Sequence, residues 1–376
     1  MSQQSAIVIG AGIVGLATAR ALSLRGYSVT VIERTEKAVG ASIRNFGMVW
    51  PIGQPDGKLY DRAMRSRQIW KEIADSIGLW YEEAGSLHVA AEADEWQVLQ
   101  ELHHHFSGNG RATQLLSPEQ IGQRFSGIHT RALLGGLYSD TELIVDPREA
   151  ISSIPAYLEE YLGITFLWQK QVNRVEAGKV YLGQQVLQAD LVCICSGADF
   201  ETLYPEVFAN TQITKCKLQM LRYLSDKADQ RIGTSVCGGL SLIHYHSFQS
   251  APSLPALKKR YETEMAEYLK WGIHVMVSQN SSGELTVGDS HEYGHTLDPF
   301  DRAEVNRLIM DYLERFMITE DWKLVQSWNG VYPKMTNGQT EVLLNPEPGV
   351  YILNGLGGAG MTLSFGLAEE FVAGLS

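Results

Sequence analysis

Three glycines near the start of the chain, Gly10, Gly12 and Gly15, have the G-x-G-x-x-G spacing that suits backbone binding of a phosphate group. In this pattern the first glycine permits a tight turn, the second lets the backbone approach a pyrophosphate, and the third lets a helix pack closely on a strand. The N–H groups at the start of that helix then face the negative charge. Because the spacing alone is a weak signal, its interpretation depends on the elements around it.

Those elements have the expected order. The apolar segment 6–10 predicts a strand, and a helix follows it to about Arg25. The alternating, β-branched segment 27–33 predicts a second strand, which ends in Glu33. This acid lies within the roughly 20-residue spacing of a carboxylate that binds a ribose hydroxyl, and it disfavours a 2′-phosphate. Together these features predict a dinucleotide-binding unit.

Two later segments predict further parts of the same layer. Residues 188–197 form an apolar strand that ends in Ser196 and Gly197, where the backbone can again approach a ligand. Residues 349–371 have the pattern of a strand, a glycine-rich turn and a helix. A flexible connection is the alternative interpretation of this turn alone, but the flanking elements favour a second anion site. The glycines of the turn are Gly355, Gly357, Gly358 and Gly360.

The middle of the chain has a different character. Alternating segments between 215 and 290, namely KLQMLRY, SLIHYHSF, IHVMVSQ and ELTVGD, predict antiparallel strands, and an amphipathic helix follows at 298–316. We therefore predict an α/β fold, with a Rossmann-type dinucleotide domain interleaved with a mainly antiparallel α+β substrate domain. The dinucleotide domain is predicted to comprise 1–82, 141–213 and 326–376, and the substrate-binding domain 83–140 and 214–325.

Composition restricts the kind of protein. The net charge of −12 argues against nucleic-acid binding, and no apolar run reaches the roughly 20 residues that would span a membrane. The N-terminus has no pattern of a secretory signal, so a cytoplasmic protein is expected. Neither the HHH at 103–105 nor the cysteines suggest a metal site, and the cysteines are expected to be reduced core thiols. The cysteines are Cys193, Cys195, Cys216 and Cys237.

The ordered set of motifs resembles the D-amino-acid oxidase superfamily of flavoproteins, which includes glycine and sarcosine oxidases. The matching segments are VIGAGIVGLATARAL, VTVIER, GASIRNFGM, GSLHVA, CICSGA, WNGVYP and NGLGGAGMTLSFG. The resemblance spans nearly the whole chain and implies that the dinucleotide is FAD. It also accounts for the polar, glycine- and proline-broken segment 41–55, which in this family runs beneath the flavin.

The resemblance implies a large set of cofactor contacts. Ser42, Arg44 and Asn45 would face the pyrophosphate or ribityl chain, and Gly47 and Met48 would lie against the flavin ring. A side chain at 47 is expected to collide with that ring. The complete predicted set is Gly10, Ala11, Gly12, Ile13, Val14, Gly15, Glu33, Arg34, Ser42, Arg44, Asn45, Gly47, Met48, Val172, Ser196, Gly197, Gly330, Gly355, Gly357, Gly358, Gly360, Met361 and Thr362.

The mode of FAD attachment can also be predicted. Some members of the family bind the flavin covalently, through a Cys just after the WNG-like motif or a His near the first flavin loop. The corresponding segments here are Val331-Tyr332-Pro333 and Arg44-Asn45-Phe46, which contain neither residue. Non-covalent FAD is therefore expected.

The resemblance implies oxidation of a small primary or secondary amine. Hydride passes from the carbon next to nitrogen to flavin N5, and the imine then hydrolyses. The flavin performs this chemistry, so no catalytic side chain is assigned. The backbone N–H groups of the 357–362 loop are expected to stabilise charge on the reduced ring. Either O₂ or another acceptor could reoxidise it, because Thr286 stands where sarcosine oxidases have a lysine that assists O₂ reduction.

Both usual anchors for a substrate carboxylate are missing. The arginine of glycine and D-amino-acid oxidases is replaced by Val331 or Tyr332, and the lysine of sarcosine oxidases by Thr362. Lys334 is a candidate substitute. The subset of the family with RNFGMVWPIGQP and VYP is associated with phosphonate breakdown, which implies 2-aminoethylphosphonate or its N-methyl form as substrate.

Substrate contacts are predicted at four positions: Trp50 and Tyr332 from the family, and Tyr245 and His274 from strand alternation. Two alternative functions remain open. One is a glycine, sarcosine or D-amino-acid oxidase or dehydrogenase with a displaced anchor. The other is a non-catalytic flavin-binding electron-transfer subunit.

Overall fold

A computed structural model describes residues 3–227 and 231–375. Among these residues, no helix has both the length and the apolar content needed to cross a membrane. The strands are β1 (Ser5–Ile9), β2 (Ser28–Ile32), β3 (Met48–Val49), β4 (Tyr81–Glu82), β5 (Ser86–Ala90), β6 (Thr113–Leu116), β7 (Gly135–Ser139), β8 (Leu143–Val145), β9 (Thr165–Leu167), β10 (Arg174–Glu176), β11 (Lys179–Leu182), β12 (Gln185–Gln188), β13 (Leu191–Ile194), β14 (Ile213–Ser225), β15 (Ser235–Cys237), β16 (Met276–Gln279), β17 (Leu285–Gly288), β18 (Glu292–Gly294), β19 (Trp322–Met335), β20 (Val342–Glu347) and β21 (Val350–Asn354). The helices are α1 (Ile13–Leu24), α2 (Lys58–Ile77), α3 (Ala93–Gly108), α4 (Pro118–Arg124), α5 (Pro147–Leu162), α6 (Pro205–Ala209), α7 (Leu254–Glu264), α8 (Ala266–Lys270), α9 (Ala303–Leu313) and α10 (Gly360–Ala373).

The first sheet carries the glycine-rich motifs. Its order is β20-β21-β13-β1-β2-β9, with every neighbouring pair parallel except β20–β21. Alternate residues of β1 face opposite layers, because side chains on a strand alternate between its two faces. Val8 packs in the layer formed with α1 and α10, whereas Ile7 packs towards the small sheet β10-β11-β12. The strand is therefore apolar on both faces, as expected of a parallel sheet covered on two sides.

The second large sheet has the order β18-β14-β17-β16-β15-β5-β7-β6, and β19 pairs with β14. All of its pairs are antiparallel except β15 with β5. The predicted fold class, a Rossmann-type sheet interleaved with a mainly antiparallel α+β part, is confirmed. The domain boundaries given above stay a prediction.

One predicted strand is wrong. SLIHYHSF forms two short 3₁₀ helices, Gly239–Ile243 and His246–Ser250, rather than a strand. Its alternation arises because Leu242 and Phe248 enter the core while His244, Tyr245 and His246 face a cavity. The strand predicted at IHVMVSQ is also shorter, and begins at Met276. His274 precedes it.

Contacts between α2 and α10 fix the C-terminal glycine-rich turn. The Arg62 guanidinium donates hydrogen bonds of 2.8 Å to both carboxylate oxygens of Glu370 and one of 2.9 Å to Glu341. A bidentate pair of this kind restricts orientation as well as distance. The Trp70 indole N–H also donates to the Met361 carbonyl at 2.8 Å. These bonds position the N-terminus of α10 beside the cavity described next.

Candidate active site

A cavity of about 1130 Å³ extends from the carboxyl ends of β1 and β2 to the second large sheet. Pockets for drug-sized ligands commonly measure roughly 300–1,000 Å³, so this one has room for an extended ligand and a second small molecule. Ligands of doubly wound sheets bind at the carboxyl ends of the strands. The location therefore agrees with the motif analysis.

The three N-terminal glycines allow the backbone to pack as the motif requires. Gly10 has φ +106°, and a Cβ there would lie 2.4 Å from the Cys195 carbonyl oxygen. A Cβ at Gly15 would lie 1.8 Å from the Gly10 carbonyl oxygen. At Gly12 it would approach only the Ser42 hydroxyl, at 3.1 Å, on the cavity side. Gly10 and Gly15 thus serve the fold of the loop, and Gly12 leaves space for a ligand.

The carboxylate of Glu33 is held at the end of β2. One oxygen accepts a hydrogen bond from the Ala11 N–H at 3.0 Å, and the other accepts from the Thr35 N–H at 3.1 Å and hydroxyl at 2.8 Å. Glu33 also lines the cavity. Because these donors fix its orientation, the carboxylate is positioned to accept hydrogen bonds from a ribose.

Two helix N-termini point at the same cavity. At the start of α1, the Ser42 hydroxyl accepts a hydrogen bond from the Ile13 N–H at 2.9 Å. At the start of α10, the turn at 355–359 contains two positive-φ glycines, Gly355 and Gly357. Helix N-termini carry partial positive charge, so both favour an anionic or electron-rich group in the cavity.

Most of the predicted cofactor residues meet in this cavity. Ala11, Gly15 and Gly47 are not part of its wall. The structure gives a reason for Gly47 that the sequence did not: with φ +74°, its Cβ would lie 2.0 Å from the Val145 carbonyl oxygen of β8, so backbone packing requires the glycine. The residues that do line the wall are Gly10, Gly12, Ile13, Val14, Glu33, Arg34, Ser42, Arg44, Asn45, Met48, Val172, Ser196, Gly197, Gly330, Gly355, Gly357, Gly358, Gly360, Met361 and Thr362.

The far end of the cavity contains all four predicted substrate residues, Trp50, Tyr245, His274 and Tyr332. The Tyr245 hydroxyl lies 2.8 Å from the Met276 sulfur. The indole N–H of Trp50 is buried and has no hydrogen-bond partner within the described part of the chain.

Sequence reasoning missed His244, Asp289 and His291 at this end of the cavity. Together with His274 and Lys334, which it did name, they form what we call the histidine cluster. The imidazoles of His244 and His274 stack with centroids 3.7 Å apart, and His291 lies 5.1 Å from His274. His244 is exposed, but the surface it exposes faces the cavity. Asp289 and His291 follow β17, and a Gly-Asp-Ser-His sequence directly after an apolar strand was the available signal.

Burial controls protonation in the histidine cluster. It lowers the pKa of His244 and His274 well below the usual value, and lowers that of His291 to about 4. Nδ1 of His291 donates to the Gly272 carbonyl at 2.9 Å, which leaves Nε2 as the atom without a proton. The imidazoles are therefore neutral near pH 7, and the ammonium of the cluster is that of Lys334.

The three imidazoles could also hold a metal ion, because one ring nitrogen of each lies within 4.8 Å of the others. Two of the rings, however, meet face to face at an interplanar angle of 30°. Coordination requires nitrogen lone pairs to converge on one point, about 2.0–2.1 Å from each nitrogen for zinc. The stacked arrangement favours a hydrogen-bonding role, and a site without metal stays a prediction.

The two positions of the family anchors have other roles. The Thr362 hydroxyl accepts a hydrogen bond of 2.9 Å from the backbone N–H of Trp50. Thr362 therefore holds the segment around β3 in place. Tyr332 is buried on β19 opposite Cys216. Lys334, two residues further along β19, donates to the Tyr293 hydroxyl at 3.0 Å and faces the cavity.

Comparison with known proteins agrees with this architecture. Residues 5–373 match the DAO family model, described as FAD dependent oxidoreductase, and the chain belongs to this family. It is 22% identical to D-amino acid dehydrogenase 3 of Mesorhizobium japonicum, over 95% of this chain and 93% of that protein. Its fold is similar to that of glycine oxidase from Geobacillus kaustophilus, with a TM-score of 0.78, 19% identity, and coverage of 98% and 94%.

A further relative is the tRNA 5-methylaminomethyl-2-thiouridine biosynthesis bifunctional protein MnmC of Saccharophagus degradans. It is 25% identical over 62% of this chain, and the match covers only 34% of that longer protein. The protein described here is thus an FAD-dependent oxidoreductase. Its cavity fits the cofactor, because Gly12 leaves space beside a helix N-terminus and Glu33 is oriented for a ribose.

We predict that FAD is released intact when the protein is denatured. The segments 331–333 and 44–46, the two candidate positions for a covalent bond to flavin, contain no Cys or His. The four cysteines are buried and free. The check is to precipitate the protein with acid and measure flavin absorbance in both fractions. Yellow colour that stays with the polypeptide would contradict the prediction.

Proposed function

We propose that the protein oxidises a small primary or secondary amine that carries a phosphonate group, with 2-aminoethylphosphonate or its N-methyl form as substrate. When bound, FAD accepts a hydride from the carbon next to the amine nitrogen. The chain's own residues would bind the substrate, orient that carbon and exclude water.

The observation that carries this proposal is the histidine cluster at the end of the cofactor cavity. The Lys334 ammonium and the imidazoles of His244 and His274 face the same space from separate segments, and Trp50 lies in the same wall. A phosphonate has three oxygen acceptors, so it can use several donors at once. The missing family anchors and the resemblance to the phosphonate-associated subset support the same substrate.

The aromatic residues have a separate task. Trp50 and Tyr332 are buried, and together with Tyr245 they form an apolar wall on this side of the cavity. Such a wall limits the size of the amine and lowers the local dielectric constant, which strengthens the contacts with its anionic group. A short alkyl chain between nitrogen and phosphorus fits this arrangement.

A glycine- or D-amino-acid-oxidising activity is the second candidate. The similarity to D-amino acid dehydrogenase 3 and to the fold of glycine oxidase favours it. In this case Lys334 alone would pair with the substrate carboxylate. The imidazoles would then contribute little to binding.

The two candidates are separated by a panel of amines. The panel contains 2-aminoethylphosphonate, its N-methyl form, glycine, sarcosine and D-alanine, each with O₂ or dichlorophenolindophenol as acceptor. We expect kcat/KM for a phosphonate to exceed that for the amino acids by about 100-fold, because donors left without a partner penalise the smaller anion. The two acceptors distinguish an oxidase from a dehydrogenase.

Each other outcome of the panel has a definite meaning. Preference for glycine or D-alanine would overturn the phosphonate proposal in favour of the second candidate. If none of the amines reduces the flavin, the electron-transfer subunit gains support. Rates that fall after treatment with a chelator, and recover with a divalent ion, would instead assign the imidazoles to a metal.

A further inference from the structure

Asp289 is a buried carboxylate in the cavity wall that the proposed function has not used. It is 5% exposed, directly after β17, and it faces the cavity. Its backbone N–H donates to the His274 carbonyl at 3.1 Å, which holds the residue in place. Its Oδ1, however, accepts no hydrogen bond from any described residue. Since an unpaired buried carboxylate oxygen is costly, and the part of Asp289 that is exposed faces the cavity, a donor from a ligand is expected at this carboxylate.

The neighbouring groups do not supply that donor. Nε2 of His274 lies 3.2 Å from Oδ1 but is too poorly aligned for a hydrogen bond, and Nδ1 of His291, at 4.0 Å, is engaged by a backbone carbonyl. Lys334 acts on Asp289 from β19 as a nearby positive charge, while its ammonium donates to Tyr293. Besides burial, the Asp289 charge also raises the pKa of the Cys216 thiol on β14 and of the Tyr332 hydroxyl on β19.

We propose that Asp289 holds the amine nitrogen of the substrate and takes its proton. The proposal rests on the proposed amine oxidation. In this step an N–H bond of the ammonium breaks and its electron pair stays on nitrogen, while the proton forms an O–H bond with the carboxylate. The products are a neutral amine and a carboxylic acid, so charge and atoms balance without an oxidant. The free electron pair on nitrogen prepares the adjacent carbon for loss of hydride.

The geometry divides the site into two parts of opposite character. Lys334 and His244 provide donors for an anionic group, and Asp289 provides an acceptor for a cationic one. The two parts adjoin each other, because Oδ1 of Asp289 lies 3.2 Å from Nε2 of His274. A small molecule with an amine and an anionic group a few bonds apart would contact both parts at once.

The sign of the pH dependence of amine binding follows from the pKa of Asp289. Burial raises the pKa of Asp289 well above its usual value, although Lys334 opposes the shift. Below the raised pKa the carboxyl group is neutral and can neither attract an ammonium nor accept its proton. Amine binding is therefore expected to weaken as pH falls through that pKa and to be complete above it.

The experiment compares ligand pairs on the holoenzyme, reduced with dithionite under anaerobic conditions so that no turnover occurs. The pair is the amine with the highest kcat/KM and its amine-free counterpart: 2-aminoethylphosphonate with ethylphosphonate, or glycine with acetate. Calorimetry should give the wild-type protein a preference for the amine of about 10- to 100-fold at pH 9 and a smaller one at the lowest pH at which the holoenzyme retains FAD. Asp289→Asn should abolish the preference at both pH values while binding ethylphosphonate as tightly as before, or more tightly.

Asp226→Asn is the matched control, since this exposed carboxylate pairs with Lys323 far from the cavity, and it should behave as wild type. If Asp289→Asn does not retain FAD, the wild-type comparison decides alone: an equal preference at these two pH values overturns the proposal. Retention of the preference in Asp289→Asn also overturns it. Failure of every amine to reduce the flavin is a different result, because it removes the proposed function itself.

Discussion

Replacement of Gly15 by alanine is expected to give a protein that no longer retains FAD on purification. The added Cβ would lie 1.8 Å from the Gly10 carbonyl oxygen and 2.9 Å from its carbonyl carbon. Both atoms belong to the backbone of the phosphate-binding turn, so no flexible side chain can move aside. α1 would have to move away from β1, and its N–H groups would leave the position from which they face the pyrophosphate.

The expected loss of FAD affinity is large because several hydrogen bonds to the cofactor depend on the position of α1. Charge-assisted hydrogen bonds contribute about 1.5–3 kcal/mol each, so losing two or more would weaken FAD binding by at least about 100-fold. FAD per chain and the melting temperature measure the effect. Gly108→Ala is the control, because a Cβ there would meet nothing within 4 Å. Normal FAD content in Gly15→Ala would show that the turn does not pack as described.

Replacement of Lys334 by methionine is expected to weaken binding of the anionic amine by about 10- to 100-fold, the usual range for loss of one charged hydrogen-bond donor. Burial keeps the imidazoles of the histidine cluster neutral near pH 7, so they cannot replace the lost charge. Methionine retains the length of the side chain, which limits the change to its charge. KM should rise, whereas flavin reduction at saturating substrate should fall much less.

The same strand provides the control. Lys323 also lies on β19, but its side chain is 69% exposed and pairs with Asp226 at the surface. Lys323→Met should leave KM unchanged. Equal KM values for Lys334→Met and wild type would exclude Lys334 as the anion anchor and would direct attention to the indole of Trp50.

The sequence predicts the dinucleotide part of the site well because its signal is local. Gly10, Gly12, Gly15 and Glu33 lie within 24 consecutive residues, and backbone geometry dictates their spacing. Strand and helix follow directly from that order. Gly47 shows the limit of such reasoning, because the contact that excludes a side chain comes from β8, about 100 residues later in the chain.

The histidine cluster could not be predicted in the same way. His244, His274, Asp289, His291 and Lys334 come from separate segments that only the second sheet brings together. Around His244 the alternation of polar and apolar residues indicated a strand, although a 3₁₀ turn with one side in the core produces the same pattern. The alternation of polar and apolar residues indicates only which side of the chain is buried, and a strand and a 3₁₀ turn can both produce it.

The most direct test of the central claim is a single anaerobic turnover. The oxidised holoenzyme is mixed with excess 2-aminoethylphosphonate, or its N-methyl form, and the flavin absorbance is followed without any acceptor. We predict complete bleaching in one phase, with one equivalent of carbonyl product for each flavin. A flavin that stays oxidised with both phosphonates but is bleached by glycine or D-alanine would contradict the account.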